Sequence, residues 1–588
     1  MTASEPLSPL PQEIDPRRFA MSRRSVLRLG IAAVAATSAA SLLAACGSSD
    51  KDTATSASTS SSGSSSGGAS TAAASASSGS GSASGTPSGS GSSTQAPANV
   101  VTGGELKWAL SSDPPNLDPH IDTGTAARAV KICIYNGLMR YWTNGEASPD
   151  LATKFDTSPD GLTYTFTLVD TTFHDGTPFT SEDVKASIDR ILDESVGATE
   201  FDQLKPITDV DASDPRTAVL KLSAPAAGLI SNLALPESAI VSKKFLEGGG
   251  DPNKTMMGTG PFKFVSREPG VNVVVEKNDK FFREGKPYLD KITFLPYQNE
   301  DTRVAALKSG DVDIAEYIPW KDMDSIDKSN DLNLITTKGS SFMYLIYNVK
   351  QKPFDDAKVR HALGFAFDRQ SIVDAAFFGR GEIITGGLIT EDSWAYDSGL
   401  KDYYSYDPDK AKQLLSDAGQ DPKSMSLTLM STGQYGMHQS TGEVCQKNLQ
   451  DLGIDCKLDL FDWATEVKKH TEGDYQFRVQ GTSPDFPDPD YLTTFLYSTA
   501  VSQGRDSFAD QQIDQWLDQA RQETDQDKRK ALYNQIEDRA AELAPYTLLC
   551  WRDDGYGARK VVQGFEVLPR MNVFLSPNTL EQVWLKKS

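Results

Sequence analysis

The chain has 588 residues, 80 acidic against 58 basic, and a formal net charge of −22 at pH 7. So acidic a surface repels phosphate backbones and excludes nucleic acid as a partner, while the length points to several lobes rather than one core. The five histidines, His120, His174, His361, His438 and His470, are scattered, and no two stand at metal-ligand spacing beside a third ligand, so neither a metal site nor a cofactor is expected.

The N-terminal region reads as an address. Arg23 and Arg24 lie in SRRSVLR, residues 22–28, ahead of a moderately apolar stretch at 29–45. A membrane-spanning helix needs roughly 20 strongly apolar residues, so this shorter, weaker run reads as the apolar part of a signal peptide. The arginine pair followed by Val26 and Leu27 resembles a twin-arginine export signal. LAAC, residues 43–46, resembles a bacterial lipobox, in which the chain is cut before the cysteine and the Cys46 thiol receives a diacylglycerol. Residues 1–45 are therefore expected to be a signal peptide. Residues 46–100 are expected to be a lipidated cysteine and a disordered Ser/Gly/Ala linker, with too few apolar side chains to offset the entropy of ordering. A flexible tether of roughly 50 residues spans about 35–40 Å, enough to hold a soluble body off the outer face of a membrane. A protein exported already folded forms no disulfides beforehand, so Cys133, Cys445, Cys456 and Cys550 read as buried thiols, with a Cys445–Cys456 disulfide as the alternative.

Structure is expected from about Gly104. Residues 105–110 (ELKWAL) read as a strand, 126–138 as a helix by apolar spacing, and 163–169 (TYTFTLV) as an alternating strand. SEDVKASIDRIL opens on Ser181 as its N-cap and reads as an amphipathic helix. VNVVVEKN and LDKITFLPY are strands, and EDTRVAALKS is a helix ended by Gly310. FMYLIYNV, 342–349, is a strand, followed by one helical run at 357–378 and another at 407–419. SLTLM, a helix over STGEVCQKNLQDLG, strand CKLDLF and two helices near the C-terminus complete a mixed α/β chain. Phe173 and Phe179 in FHDGTPFT read as core, Asp175-Gly176 as a turn, His174 as a satisfied structural group, and Gly258 and Gly260 as a bend rather than a phosphate cradle.

Nine stretches in order resemble one family, the extracellular solute-binding proteins of family 5, which include the oligopeptide- and dipeptide-binding subunits of ABC importers. They include GGELKWALSSDPPNLDPH, FHDGTPFTSEDVKASIDRI, GTGPFKF, ALKSGDVDIAE, NVKQKPFDDAKVRHALGFAFDRQSIV and PDFPDPDYL, and the likeness spans 104 to about 585. The resemblance implies a two-lobed periplasmic-binding-protein-like α/β fold of the class with an extra inserted domain, joined by hinges. Lobe I is expected at 101–145, 259–347 and 546–588, the inserted domain at 146–258 and lobe II at 348–545, with crossovers near Asn348 and Pro545.

It also implies a ligand site. In peptide-binding members an aspartate in a W-x-x-D-Y-x-x-P-type segment takes the ligand's amine, and the matching position is Asp485 in TSPDFPDP. Thr482 replaces the tryptophan and Phe486 the tyrosine. An unpaired buried ammonium is strongly penalised, so a carboxylate is needed; Asp488, by contrast, reads as a solvated loop acid. Thr123, Gly124 and Thr125 match a segment whose backbone lines the family's cleft. Trp394 and Tyr396 stand where the family often has a pocket aromatic.

The implied function is capture of extracellular oligopeptides or dipeptides by a lipid-anchored, monomeric, non-enzymatic receptor that delivers them to permease subunits. Alternatives are another solute (an oligosaccharide or nickel complex), a ligand sensor, or a secreted hydrolase; against the last, no G-x-S-x-G or H-E-x-x-H stands in a convincing context. If Cys46 carries the anchor, Cys46→Ala releases the mature protein from the membrane fraction or leaves its precursor uncleaved. An unlipidated variant that stays membrane-bound at wild-type level contradicts that expectation.

Overall fold

The computed structural model describes residues 100–121, 124–484, 487–498, 508–568 and 572–587, and leaves the side chains of Ser340 and Ala464 undescribed. The expected signal peptide, Cys46, Arg23, Arg24 and the linker lie outside the described residues, as do Thr123, Asp485 and Phe486.

One eleven-stranded sheet runs through the molecule. At one end Glu105–Leu110 pairs in parallel with Lys291–Pro296 and Ile314–Ala315, and Asn272–Lys277 and Phe262–Glu268 extend that edge. At the other end Ser426–Thr432 pairs in parallel with Asp455–Phe461 and Phe477–Thr482. Two long antiparallel strands in the middle, Leu332–Tyr347 and Tyr546–Arg559, belong to both halves. Near Leu332 the pair is flanked by Ile314–Ala315, and near Tyr347 by Phe477–Thr482. The register breaks between them: Thr337 faces Asp554 and Ser341 faces Arg552, so residues 338–340 bulge opposite Asp553 alone. Asn348 and Pro545 lie just beyond the Tyr347 and Tyr546 ends of this pair.

Alternation along the crossing strands feeds two cores. Phe342, Tyr344 and Ile346 pack with Phe166, Val184, Phe495 and Tyr533 on one face. Met343, Leu345 and Tyr347 pack with Phe354, Leu429 and Leu449 on the other. A third core gathers Trp108, Phe294, Tyr556 and Phe565 at the N-terminal end of the sheet. A separate four-stranded antiparallel sheet is built from Ala152–Thr157, Thr163–Leu168, Thr217–Leu222 and Ile207–Asp214, with the helix Ser181–Ile191 against it. Its residues share the first core with Leu492, Phe495 and Ile513.

Three local readings are corrected. The helix Ser181–Ile191 is capped by Thr180, whose N–H donates to Asp183 Oδ2 at 2.8 Å; the Ser181 hydroxyl is turned away to Asp214 O at 2.7 Å. The run at 357–378 is two helices, Ala357–Gly364 and Arg369–Phe377, because Asp368 caps the second by accepting from Ser371 N–H. The strand expected at 342–349 begins ten residues earlier, at Leu332. Its first half carries Thr336, Thr337, Lys338, Gly339 and two serines, which hide the alternation. Cys133, Cys445, Cys456 and Cys550 are all buried free thiols.

Phe173 and Phe179 are buried edge to face, with ring centroids 6.2 Å apart. His174 Nε2 donates to Gly260 O at 3.1 Å, and the His174 backbone N–H donates to Gly258 O at 3.0 Å. Burial pushes the His174 pKa down to about 4, so the ring is neutral at pH 7 and ties its turn to the glycine bend. That bend passes so close to the end of Thr125–Ile134 that a Cβ on Gly258 would stand 2.0 Å from Ile134 O. Gly258→Ala should therefore destabilise the protein by about 3 kcal/mol, the upper range for forcing atoms into a filled site, read as a lower midpoint in urea unfolding.

Candidate functional site

A cavity of about 740 Å³ opens over the crossing strands, within the volume that solute pockets occupy. Its floor is the bulge, Thr337, Lys338 and Gly339, with the Trp551 ring beside it. Gly339 has φ 62° and its N–H donates to Asp553 Oδ1 at 3.3 Å, which turns the bulge outward. One side contributes Tyr141, Glu146 and Ser231; the Tyr141 hydroxyl donates to Ser231 O at 3.1 Å. The opposite wall is Glu382, Ile383 and the loop 390–394, and the rim is Pro484, Pro487, Asp488 and Tyr491.

Among the described residues, five carboxylates (Glu146, Glu382, Glu391, Asp392 and Asp488) and one cation, Lys338, line this space. Lys338 stands 3.9 Å from Glu382. Asp392 accepts from Thr390 Oγ1 at 2.6 Å, and Glu391 pairs with Lys401 at 3.1 Å. Asp488 is not a solvated loop acid: Arg529 grips it with both guanidinium nitrogens, at 2.8 and 3.1 Å, while its Oδ1 also accepts from Asp490 N–H. Arg529 lies 5.1 Å from the centre of the Trp394 ring, so one guanidinium supports both an acid and an aromatic of the cavity wall. Burial opposes the charge on Arg529, but the Asp488 hydrogen bond and charge outweigh it and raise its pKa.

Of the residues singled out in the sequence, Trp394 lines the cavity, and Pro484 and Pro487, on either side of positions 485 and 486, do too. Tyr396 sits one step outside, its hydroxyl donating to Glu391 Oε1 at 3.4 Å. Gly124, with φ 101°, precedes the helix Thr125–Ile134; neither it nor Thr125 is among the lining residues. Sequence reasoning missed Trp551, Arg529 and the bulge. Arg529 lies in QDKRKAL, which reads as a solvated charged helix face, and only the turn of that helix toward the core reveals it.

Beneath the floor, Arg552 points to the opposite face from Trp551. Its Nη1 meets Met437 Sδ at 3.0 Å, its guanidinium lies 5.5 Å from the Trp320 ring centre, and its Nε is 3.8 Å from Asp554 Oδ2. Asp554 also accepts from the Ser341 hydroxyl. Burial, with Arg552 and Arg478 nearby, pushes the His438 pKa down to about 3, so this layer carries its positive charge on arginines.

Two lobes sharing a pair of through-running strands, with a solute-sized cavity laid over them, define a two-lobed solute-binding protein. The family model for bacterial extracellular solute-binding proteins, family 5, matches residues 146–504, and the chain belongs to that family. It is a substrate-binding protein of an ABC importer. It is 30% identical over 479 residues to the glutathione-binding protein GsiB of Escherichia coli K12, covering 78% of this chain and 91% of that protein. Among solved structures, the binding protein AgaA of A. tumefaciens R10 in complex with agropinic acid is 38% identical, with a TM-score of 0.76 over 82% of this chain and 99% of that one. DppA of Helicobacter pylori, in complex with the peptide STSA, is 26% identical with a TM-score of 0.73, over 83% of this chain and 99% of that one. Members of this family are solute-binding proteins that work outside the cytoplasm.

Arg529→Met removes the cation while leaving the Asp488 carboxylate against the protein. It should cost about 3 kcal/mol of stability, since breaking a largely buried pair strands its partner. Asp488→Asn combined with Arg529→Met should recover part of that loss in urea unfolding.

Proposed function

We propose that this chain is a lipid-anchored receptor that closes its lobes on an amine-bearing solute, with oligopeptides or dipeptides as the leading class, and hands it to the permease of its importer. The carrying observation is the acidic lining: among the described residues it holds five carboxylates and one lysine, with Arg529 on Asp488 and Lys401 on Glu391 from outside, and Trp394 and Trp551 as apolar walls. Such a lining favours a cationic amine and penalises a solute presenting only anionic groups. Asp485 is the proposed partner of the amine, Phe486 its neighbouring wall, and Thr123, Gly124 and Thr125 a backbone approach from the first lobe. The ligands of similar proteins, glutathione for GsiB and the peptide STSA for H. pylori DppA, support this class.

The proposal keeps lobe I at 101–145, 259–347 and 546–588, the inserted domain at 146–258 and lobe II at 348–545, with lobe closure on the solute. It places a monomer on the outer face of the membrane through lipid on Cys46, after export directed by Arg23 and Arg24.

Thermal unfolding of the full chain with glutathione, Ser-Thr-Ser-Ala, a neutral sugar pool and a nickel–histidine complex tests it. A solute at 100 times its dissociation constant adds about 2.7 kcal/mol. The expected result is stabilisation by the amine-bearing peptides that disappears in Asp485→Ala. Stabilisation by sugars or the nickel complex alone retains the receptor and sinks the amine assignment.

A further inference from the structure

The wall 390–394 is held by a residue that does not itself line the cavity. Glu537, on the helix Gln526–Leu543, is 4% exposed. Its Oε1 accepts from the backbone N–H of Leu388 at 2.6 Å and of Ile389 at 2.9 Å. The Tyr491 hydroxyl donates to Leu388 O at 2.9 Å, so both backbone polar groups of that residue are pinned. The carboxylate reaches the backbone because position 387 is glycine: a Cβ there would stand 2.4 Å from Glu537 Oε1. The same helix grips the far end of the loop. Arg529 supports Trp394, and Asn534, with its amide turned to satisfy its neighbours, donates to Ala395 O at 3.0 Å. Five residues of cavity wall are thus suspended between two attachments on one helix.

We propose that Glu537 is a positioning residue of the solute cavity: its two backbone hydrogen bonds set where the wall 390–394 stands, and a change in its protonation is transmitted to that wall. The inference rests on this cavity being the solute site.

The surroundings make the carboxyl responsive. Asp538 on its own helix and Asp397 beyond the loop oppose its charge, and burial opposes it more strongly. Tyr491 and Tyr546 face it without bringing positive charge. Arg369 and Tyr404 line a small void with it, but the Arg369 donors go to the carbonyls of Leu548, Tyr404, Gly364 and Phe367. Burial first, then the acids, push the Glu537 pKa up to about 8 against the two backbone donors that lower it. With the loop in place the carboxyl holds its proton at pH 7; with the loop swung away it is hydrated and ionises in the ordinary carboxylate range. The free energy holding the loop is therefore full below the ordinary carboxylate range and is lost as pH rises through about 8.

Amide hydrogen exchange of the full chain, without solute, reads this directly. In the wild type, protection of peptides covering 386–395, corrected for intrinsic rate, should fall by about tenfold or more between about pH 6 and about pH 9. Peptides covering Ser426–Thr432 serve as an internal reference and should not follow. Glu537→Gln keeps an acceptor oxygen and cannot ionise, so protection should persist and become independent of pH. Glu537→Leu should lose protection at every pH, and Gly387→Ala, which displaces the carboxylate, should do the same if the leucine variant does not fold. Wild-type protection in both Glu537→Leu and Gly387→Ala, or a pH dependence that survives in Glu537→Gln, overturns the proposal. Because no solute is added, failure here is distinct from failure of the amine reading. With Ser-Thr-Ser-Ala present, a shift in dissociation constant with pH that vanishes in Glu537→Gln connects the two.

Discussion

Everything about the cavity follows from one pairing, that of Leu332–Tyr347 with Tyr546–Arg559. A strand 16 residues long is roughly 50 Å of chain at about 3.3 Å per residue, far more than one lobe's sheet needs. The pair can serve two halves because its outer neighbours change along its length: Ile314–Ala315 lies against Tyr546–Arg559 at one end, and Phe477–Thr482 against Leu332–Tyr347 at the other. The register break at 338–340 falls at that change. Residues released from the ladder there can face solute while the flanking residues keep the sheet continuous. A bulge at this point turns a structural junction into a floor for binding.

Holding loops against this pair falls to buried arginines that bond backbone rather than carboxylate. Arg369 donates to Leu548 O in the crossing strand at 2.9 Å, to Tyr404 O at 2.9 Å and to Gly364 O at 3.0 Å. Arg360 reaches Ala544 O, Leu543 O and Phe354 O, and Arg303 does the same at Tyr297 O, Glu316 O and Tyr317 O. The five donors of a guanidinium suit it to this use, since carbonyls at helix ends and loop turns lack partners of their own. Burial costs these cations, and the pKa values of Arg303, Arg360 and Arg369 all fall for that reason. Arg369 remains charged nonetheless, because its pKa falls only to about 10.

The family pieces were legible because they are local. Gly310 after EDTRVAALKS takes φ 85° as a helix terminator should, and ELKWAL is a strand from Glu105 to Leu110. What escaped was set by distant partners. The first half of the long strand carries Thr336, Thr337, Lys338 and Gly339, a composition of loops, and becomes a strand because Asp554–Arg559 pairs with it. The break at 365–368 between two helices is capped by an aspartate that reads equally well as an exposed helical residue. In the cavity, Trp394 could be picked out because an aromatic near a family motif is a local signal. Trp551 and Arg529 could not, because one sits in the apolar run TLLCW and the other in a charged helix, and only tertiary placement gives either a role.

The cavity's acids are unequal, and that inequality determines what the site can select. Asp488 is neutralised by Arg529, Glu391 by Lys401 and Glu382 in part by Lys338, so their charges act mainly as structure. Glu146 accepts from the Asn144 amide at 3.2 Å and Asp392 from the Thr390 hydroxyl at 2.6 Å. A hydrogen bond from a neutral donor orients a carboxylate without cancelling its charge. Glu146 and Asp392 line the same cavity as the Trp394 and Trp551 rings. A solute that spans the cavity with an amine toward either wall and an apolar body over the indoles meets each surface with its complement. Moving the 390–394 wall by even an ångström changes the span between those acids, so the fixing of that loop sets which solutes fit as directly as the residues that touch them.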